Sequence, residues 1–155
     1  MTGRMIQMEQ LQQLRARDVE RCSRATAEAV ARTEREAAAV ERAARRERRA
    51  GERLAQAICD RALRPADEFV RSFVDACEAA LAEAQQLVAS ARQALAEAQE
   101  KLREARRKWL RAKARQDALA ALVQRMRSAD RRARDRRLSD EANERTAAAG
   151  RVAWA

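Results

Sequence analysis

The chain has 155 residues, 46% of them hydrophobic but only 3% aromatic, with no Tyr, no His and a formal net charge of +10. So few aromatics argue against a thick globular core, and the missing His leaves zinc sites and Cys/His or Ser/His catalysis nothing to work with. Three Gly and one Pro supply few turns, and the dominance of Ala, Arg, Glu, Leu and Gln is the signature of long helices or a coiled coil.

The first residues, MTGRMIQMEQ, hold no apolar run of signal-peptide length, and no stretch nears ~20 apolar residues. The expectation is a cytoplasmic chain without a membrane span. Met5, Met8, Leu11 and Leu14 step by three and predict an apolar helix face. From Val19 a repeat of alternating four and three takes over, through Ser23, Thr26, Val30, Thr33, Ala37, Val40, Ala44, Glu47, Gly51, Leu54 and Ile58. Most of these side chains are small or mildly polar, so a helix built on them needs a partner. Gly51 costs ~1 kcal/mol relative to Ala inside a helix, and reads either as a local weakness or as close helix contact. Cys22, Cys59 and Cys77 lie far apart with no CxxC and read as small core or surface residues.

The only proline lies in Leu63-Arg64-Pro65-Ala66-Asp67-Glu68. A residue before Pro is pushed out of the helical region, and Pro favours the first helical position. Asp67 and Glu68 would then sit in a first turn, where the helix dipole favours acids. The reading is one helix over about 4–63, a turn at about 64–66 and a second helix over about 67–149, with Gly150 as its stop and 150–155 as a tail. Folding the chain there sets Ile58 opposite Val70, Leu54 opposite Val74 and Ala44 opposite Ala84.

The second helix carries the clearest signal. Val70, Val74, Cys77, Leu81, Ala84, Val88, Ala91, Leu95, Ala98, Leu102, Ala105, Trp109, Ala112, Gln116, Leu119, Val123 and Met126 keep the 4/3 rhythm, and only Gln116 is polar. A mean step of 3.5 residues is the period of a left-handed coiled-coil seam. One column of that seam is Ala from Ala84 to Ala112, which lets a partner backbone come close. Each Ala buries ~2 kcal/mol less than Leu would, so the pairing should be thin and rather weak. The predicted fold is all-α: a single domain over 1–155, a long antiparallel two-helix coiled-coil hairpin with helix 2 extending past helix 1.

Charge is uneven. Residues 67–100 carry seven acids and two Arg, whereas 101–137 carry fifteen bases and four acids. The six Arg of residues 41–53 should lie beside Asp75, Glu78 and Glu83 and balance them. The densest cationic run holds Arg125, Arg127, Arg131, Arg132, Arg134, Arg136 and Arg137. It reads either as a solvated helix face or as a contact for an acidic surface, protein or nucleic acid. Phe69 and Phe73, one turn apart, read either as a plug closing the hairpin or as an apolar knob for a partner. Trp109, on the seam, reads as a buried ring opposite small residues rather than as a docking residue, the alternative.

These features together resemble the FliJ/YscO (SctO) family, the stalk proteins of bacterial flagellar and injectisome type III secretion. The resemblance rests on the two-helix pattern and on the Phe-led start FVRSFVDACEAALAEAQQLV. It rests too on the block WLRAKARQDALAALVQRM, with Trp109, Leu119, Leu122 and Arg125, and on the late acidic stretch Ser139-Asp140-Glu141-Ala142. It is strongest over residues 69–147, whereas the first helix matches in pattern alone. It implies a cytoplasmic, non-enzymatic monomer with no cofactor, at the cytoplasmic face of the secretion apparatus. The partners it implies are the hexameric secretion ATPase, the cytoplasmic domain of the export gate and export chaperones. By position it makes Phe69, Phe73, Ala76 and Ala80 the gate-facing stripe and the basic end of helix 2 the ATPase-facing part. A basic coiled coil on nucleic acid and a scaffold or peripheral-stalk coiled coil are the alternatives. No Gly-rich phosphate loop appears in the sequence.

Overall fold

The structure, a computed structural model, describes residues 3–152. It consists of two long helices, α1 over Gly3–Leu63 and α2 over Glu68–Val152, with no strand among the described residues. None of the helices is long and apolar enough to cross a membrane.

The link between them follows from its residues. Arg64 donates its N–H to the carbonyls of Asp60 (3.0 Å) and Arg61 (3.2 Å), which closes the last turn of α1. Pro65 stops the helix there. The Asp67 N–H then donates to the Arg64 carbonyl at 3.2 Å, a β-turn with Pro65 at its second position, where a fixed φ suits it. Asp67 is the cap of α2 rather than part of its first turn. Its Oδ1 accepts from the N–H of Phe69 (3.0 Å) and of Val70 (3.4 Å), two donors that the helix itself leaves unpaired. The turn therefore takes four residues, Arg64 to Asp67, and Pro65 lies outside α2.

Contacts group the chain into two compact units, Arg21–Trp109 and Met1–Glu20 with Leu110–Ala155. In the first, Ala57 and Val74 are almost wholly buried and form a cluster with Cys77, against which Leu54 packs. Twenty-four residues earlier in α1, Thr33 reaches the carbonyl of Ala98, twenty-four residues later in α2 than Val74, at 3.4 Å. The two helices of this unit therefore run side by side in opposite directions.

Every seam position expected in this part of α2, from Val70 to Trp109, is buried or half-buried, and between them only Ala94 joins them. Trp109 is half-buried rather than buried. In α1 one expected column holds: Thr26, Thr33, Val40, Glu47 and Leu54 are half-buried. The other holds only at Val30, Ala44 and Gly51, which are half-buried, and burial moves to a column one residue earlier. Ser23, Ala37 and Ile58 are exposed, Ile58 by 51%, while Ala43 and Ala57 are the buried positions. Cys22, Ala29, Ala50 and Glu36 of the same shifted column are half-buried. Five of these six residues are small, so they can face the Ala column of α2 at close range where Ile58 could not. Ile58, expected opposite Val70, is exposed, whereas Val70 is buried.

Gly51 is half-buried, yet a Cβ added there would meet nothing within 4 Å. It is a weak point in the helix and not a site of close contact.

In the second unit Val123 is buried, and Ala112, Gln116, Leu119 and Met126 are half-buried, as the seam predicts. The facing stripe of α1 differs from expectation. Met5, Met8 and Val19 are half-buried as expected, but Leu14 is 56% exposed, and Gln12 and Arg15 take inward positions. A strict step of three drifts around a helix of 3.6 residues per turn, and only alternation with four keeps to one side. From Arg134 to Ala147 every residue is exposed. The stop expected at Gly150 does not form, and α2 runs on to Val152 with no Gly at positive φ. Without a following Pro, one Gly adds a cost of ~1 kcal/mol and no geometric break. Residues 153–155 of the expected tail lie outside the described residues.

Candidate functional site

Two surfaces, one in each unit, bring sequence-predicted residues together. The first is a groove of about 810 Å³ along the unit Arg21–Trp109. Its floor is Ala76, Ala80 and Ala84 of α2, with Phe73 and Leu87 at its two ends. Phe73, Ala76, Ala80, Glu83 and Leu87 alternate by three and four, so they share one face of α2 beside the seam. Phe73 is 48% exposed and Leu87 42% exposed, which leaves both rims of the floor apolar and wet. Phe69 continues the same stripe but is not part of the groove, and at 79% exposure it stands free in the first turn of α2. Neither ring is buried, Phe69 least of all.

Arg46, Arg49 and Arg53 of α1 form the other wall. The hairpin register had set this Arg stretch beside Glu83, which lines the same groove, and their spacing of three and four sets the three on one side of α1 next to Ala50. The expected balance of this Arg stretch by Asp75, Glu78 and Glu83 takes no ion-paired form. Among the described residues no ion pair joins Arg46, Arg49 or Arg53 to any carboxylate.

The second surface lies in the unit of Met1–Glu20 and Leu110–Ala155. Met5, Arg127, Asp130, Arg131, Arg134, Asp135 and Leu138 line a hollow of about 620 Å³. Arg127 is fixed there, since its Nη2 lies 3.1 Å from Oε1 of Glu9 in α1. Arg136 donates from Nε to the Arg132 carbonyl at 3.3 Å. Arg125, Arg132, Arg136 and Arg137 are exposed and lie outside the hollow. The predicted cationic run is thus divided: three of its seven Arg share a hollow with two Asp, and four point elsewhere on the helix surface.

Between these surfaces in sequence, the basic stretch of α2 carries its own acids. Glu100 meets Arg103 (3.4 Å) and Arg107 (3.0 Å), and Lys108 Nζ sits 2.7 Å from Glu104. The hydrogen bond and charge of Lys108 hold the Glu104 carboxyl below the usual carboxylate range. These pairs are solvated and contribute little individually. The described residues hold no cluster of His, Cys, Asp and Glu that could bind a metal ion. Cys22 is half-buried, Cys59 exposed and Cys77 buried, each as a free thiol. No family model, curated protein or solved structure matches this chain.

Proposed function

We propose that this chain is the central stalk component of a bacterial type III secretion apparatus, linking the hexameric secretion ATPase to the export gate and handling export chaperones. The observation that carries this reading is the exposed cationic stretch of α2. Arg131, Arg132, Arg134 and Arg137 meet no carboxylate at ion-pair distance among the described residues, and no residue from 134 to 147 is covered. A helix without a neighbour is marginal in water. A row of Arg on it suits a partner rich in carboxylates, because the planar guanidinium matches them in pairs. The Phe-led stripe and the Trp109 block, read as a resemblance to the FliJ/YscO family, supply the remaining support. On this reading Phe69, Phe73, Ala76 and Ala80 face the export gate, and Arg125 to Arg137 face the ATPase. The chain works in the cytoplasm as a monomer, without a cofactor and without catalysis of its own.

The test is a charge reversal. Replacing Arg131, Arg132, Arg134, Arg136 and Arg137 by Glu should abolish binding to the secretion ATPase and its stimulation, with helix content unchanged by circular dichroism. If binding and stimulation both survive, the run is only a solvated face. If wild type instead binds duplex DNA tightly at physiological salt, with a steep salt dependence, the nucleic-acid alternative takes precedence.

A further inference from the structure

We infer that the groove of the Arg21–Trp109 unit is a seat for an acidic amphipathic helix of another protein, with Arg46, Arg49 and Arg53 reading its carboxylates. This shares Phe73, Ala76 and Ala80 with the gate-facing stripe and rests on that stripe being a docking face. It does not depend on which apparatus the chain serves.

The floor sets the shape of the occupant. Ala76 and Ala80 are exposed and offer no side chain beyond Cβ, so a third helix can approach nearly to the backbone of α2 there. From Phe73 to Leu87 is fourteen residue steps, about 21 Å at ~1.5 Å per residue, or roughly four helical turns. Phe73 and Leu87 close its ends with exposed apolar surface. This is the helix-in-groove mode, in which anchors at steps of three and four enter an apolar trough.

The wall sets its charge. Arg46, Arg49 and Arg53 rise along about two turns of α1 and have no carboxylate partner among the described residues. The groove contains one acid, Glu83. Three cations against one acid call for a ligand with carboxylates along one flank, at steps of three and four. A second copy of this chain fits less well, because it would bring the same excess of Arg. Nucleic acid fits less well too, because a floor of Ala offers bases nothing to stack on except Phe73.

The test uses the full-length chain and two labelled peptides of about 18 residues, five turns. Both carry Leu at the anchor positions. One has Glu along a single flank and the other has Lys at the same positions. Fluorescence anisotropy should show binding of the Glu peptide and none of the Lys peptide. Combined Arg46→Glu, Arg49→Glu and Arg53→Glu should weaken the Glu peptide about 30-fold or more and let the Lys peptide bind. Ala80→Glu, at an exposed position where the helix tolerates it, should block the floor and abolish binding of the Glu peptide. Circular dichroism of each variant should match wild type. Equal affinity for the two peptides, or unchanged affinity of the triple variant, overturns the assignment. So does a concentration-dependent dimer in sedimentation that Ala80→Glu dissolves, since the occupant would then be a second copy. Duplex DNA binding that is lost in the triple variant but survives Ala80→Glu overturns it as well, since the Arg row would then read phosphate. None of these outcomes involves the secretion ATPase, so failure here leaves the stalk reading to its own test.

Discussion

Between Arg21 and Trp109 eight hydrophobic side chains are buried, all of them Ala, Val or Cys, whereas the described residues of the other unit bury one, Val123. The difference is one of residue size and polarity on the same repeat. In the first unit, small residues on α1 face small residues on α2, so little bulk is needed to exclude water. In the second, Gln12, Arg15 and Gln116 take inward positions and are only half-buried, because their polar heads must reach solvent. Charge follows the same division. The Arg21–Trp109 unit has nineteen bases and fifteen acids, against fifteen and nine in the other, which is the shorter of the two. Close packing belongs to one unit and the larger excess of positive charge to the other. A single 4/3 rhythm thus produces two surfaces of different character.

The strongest attack on that contrast is Ala57→Leu. Ala57 is fully buried, so three added carbons would force the helices of its unit apart, at a cost of about 1–3 kcal/mol. Leu138→Ala, at a residue 64% exposed, should change stability by less than ~0.5 kcal/mol. Thermal melting of both variants decides the point, and equal losses would erase the contrast. A smaller effect is expected at the groove. Phe69→Ala with Phe73→Ala removes two exposed rings, so stability should fall by about 1 kcal/mol or less while helix content stays at the wild-type level. On the proposed stalk reading, export-gate binding and secretion should fall in the same variant. Collapse of the helical signal would make the pair a structural plug instead. Gly51→Ala should act in the opposite direction and raise stability by about 0.5–1 kcal/mol, since the added methyl meets open space. A destabilised variant in urea denaturation would mean that the helices come closer at Gly51 than the geometry allows.

The legible parts of the fold were those where apolar and polar residues alternate sharply. The seam of α2 could be read from Val70 to Met126 because Leu, Val and Ala stand among charged neighbours. The end of α1 at Leu63 was legible through Pro65. In α1 one column was legible, but in the other Ala is equally at home one residue earlier, so the sequence could not rank Ala43 above Ala44. Only the small-on-small contact with α2 makes that choice. The same holds for the candidate site. Phe73, Ala76 and Ala80 could be read as a stripe, but the three Arg of its wall come from α1 and join it only through the pairing of the helices. The Arg run of α2 was plain as a run. Its division into a hollow and an open face depends on Glu9 and Met5, more than a hundred residues away in sequence.

Hydrogen exchange of the free full-length chain reads the contrast between the units directly, because protection tracks the free energy of local opening. Slow exchange is expected across Val70–Ala98, where the seam is buried, and fast exchange across Arg134–Ala147, where the helix has no covered face. Equal protection of the two segments, or faster exchange in Val70–Ala98, would contradict a closely packed unit joined in one chain to an open, cationic one.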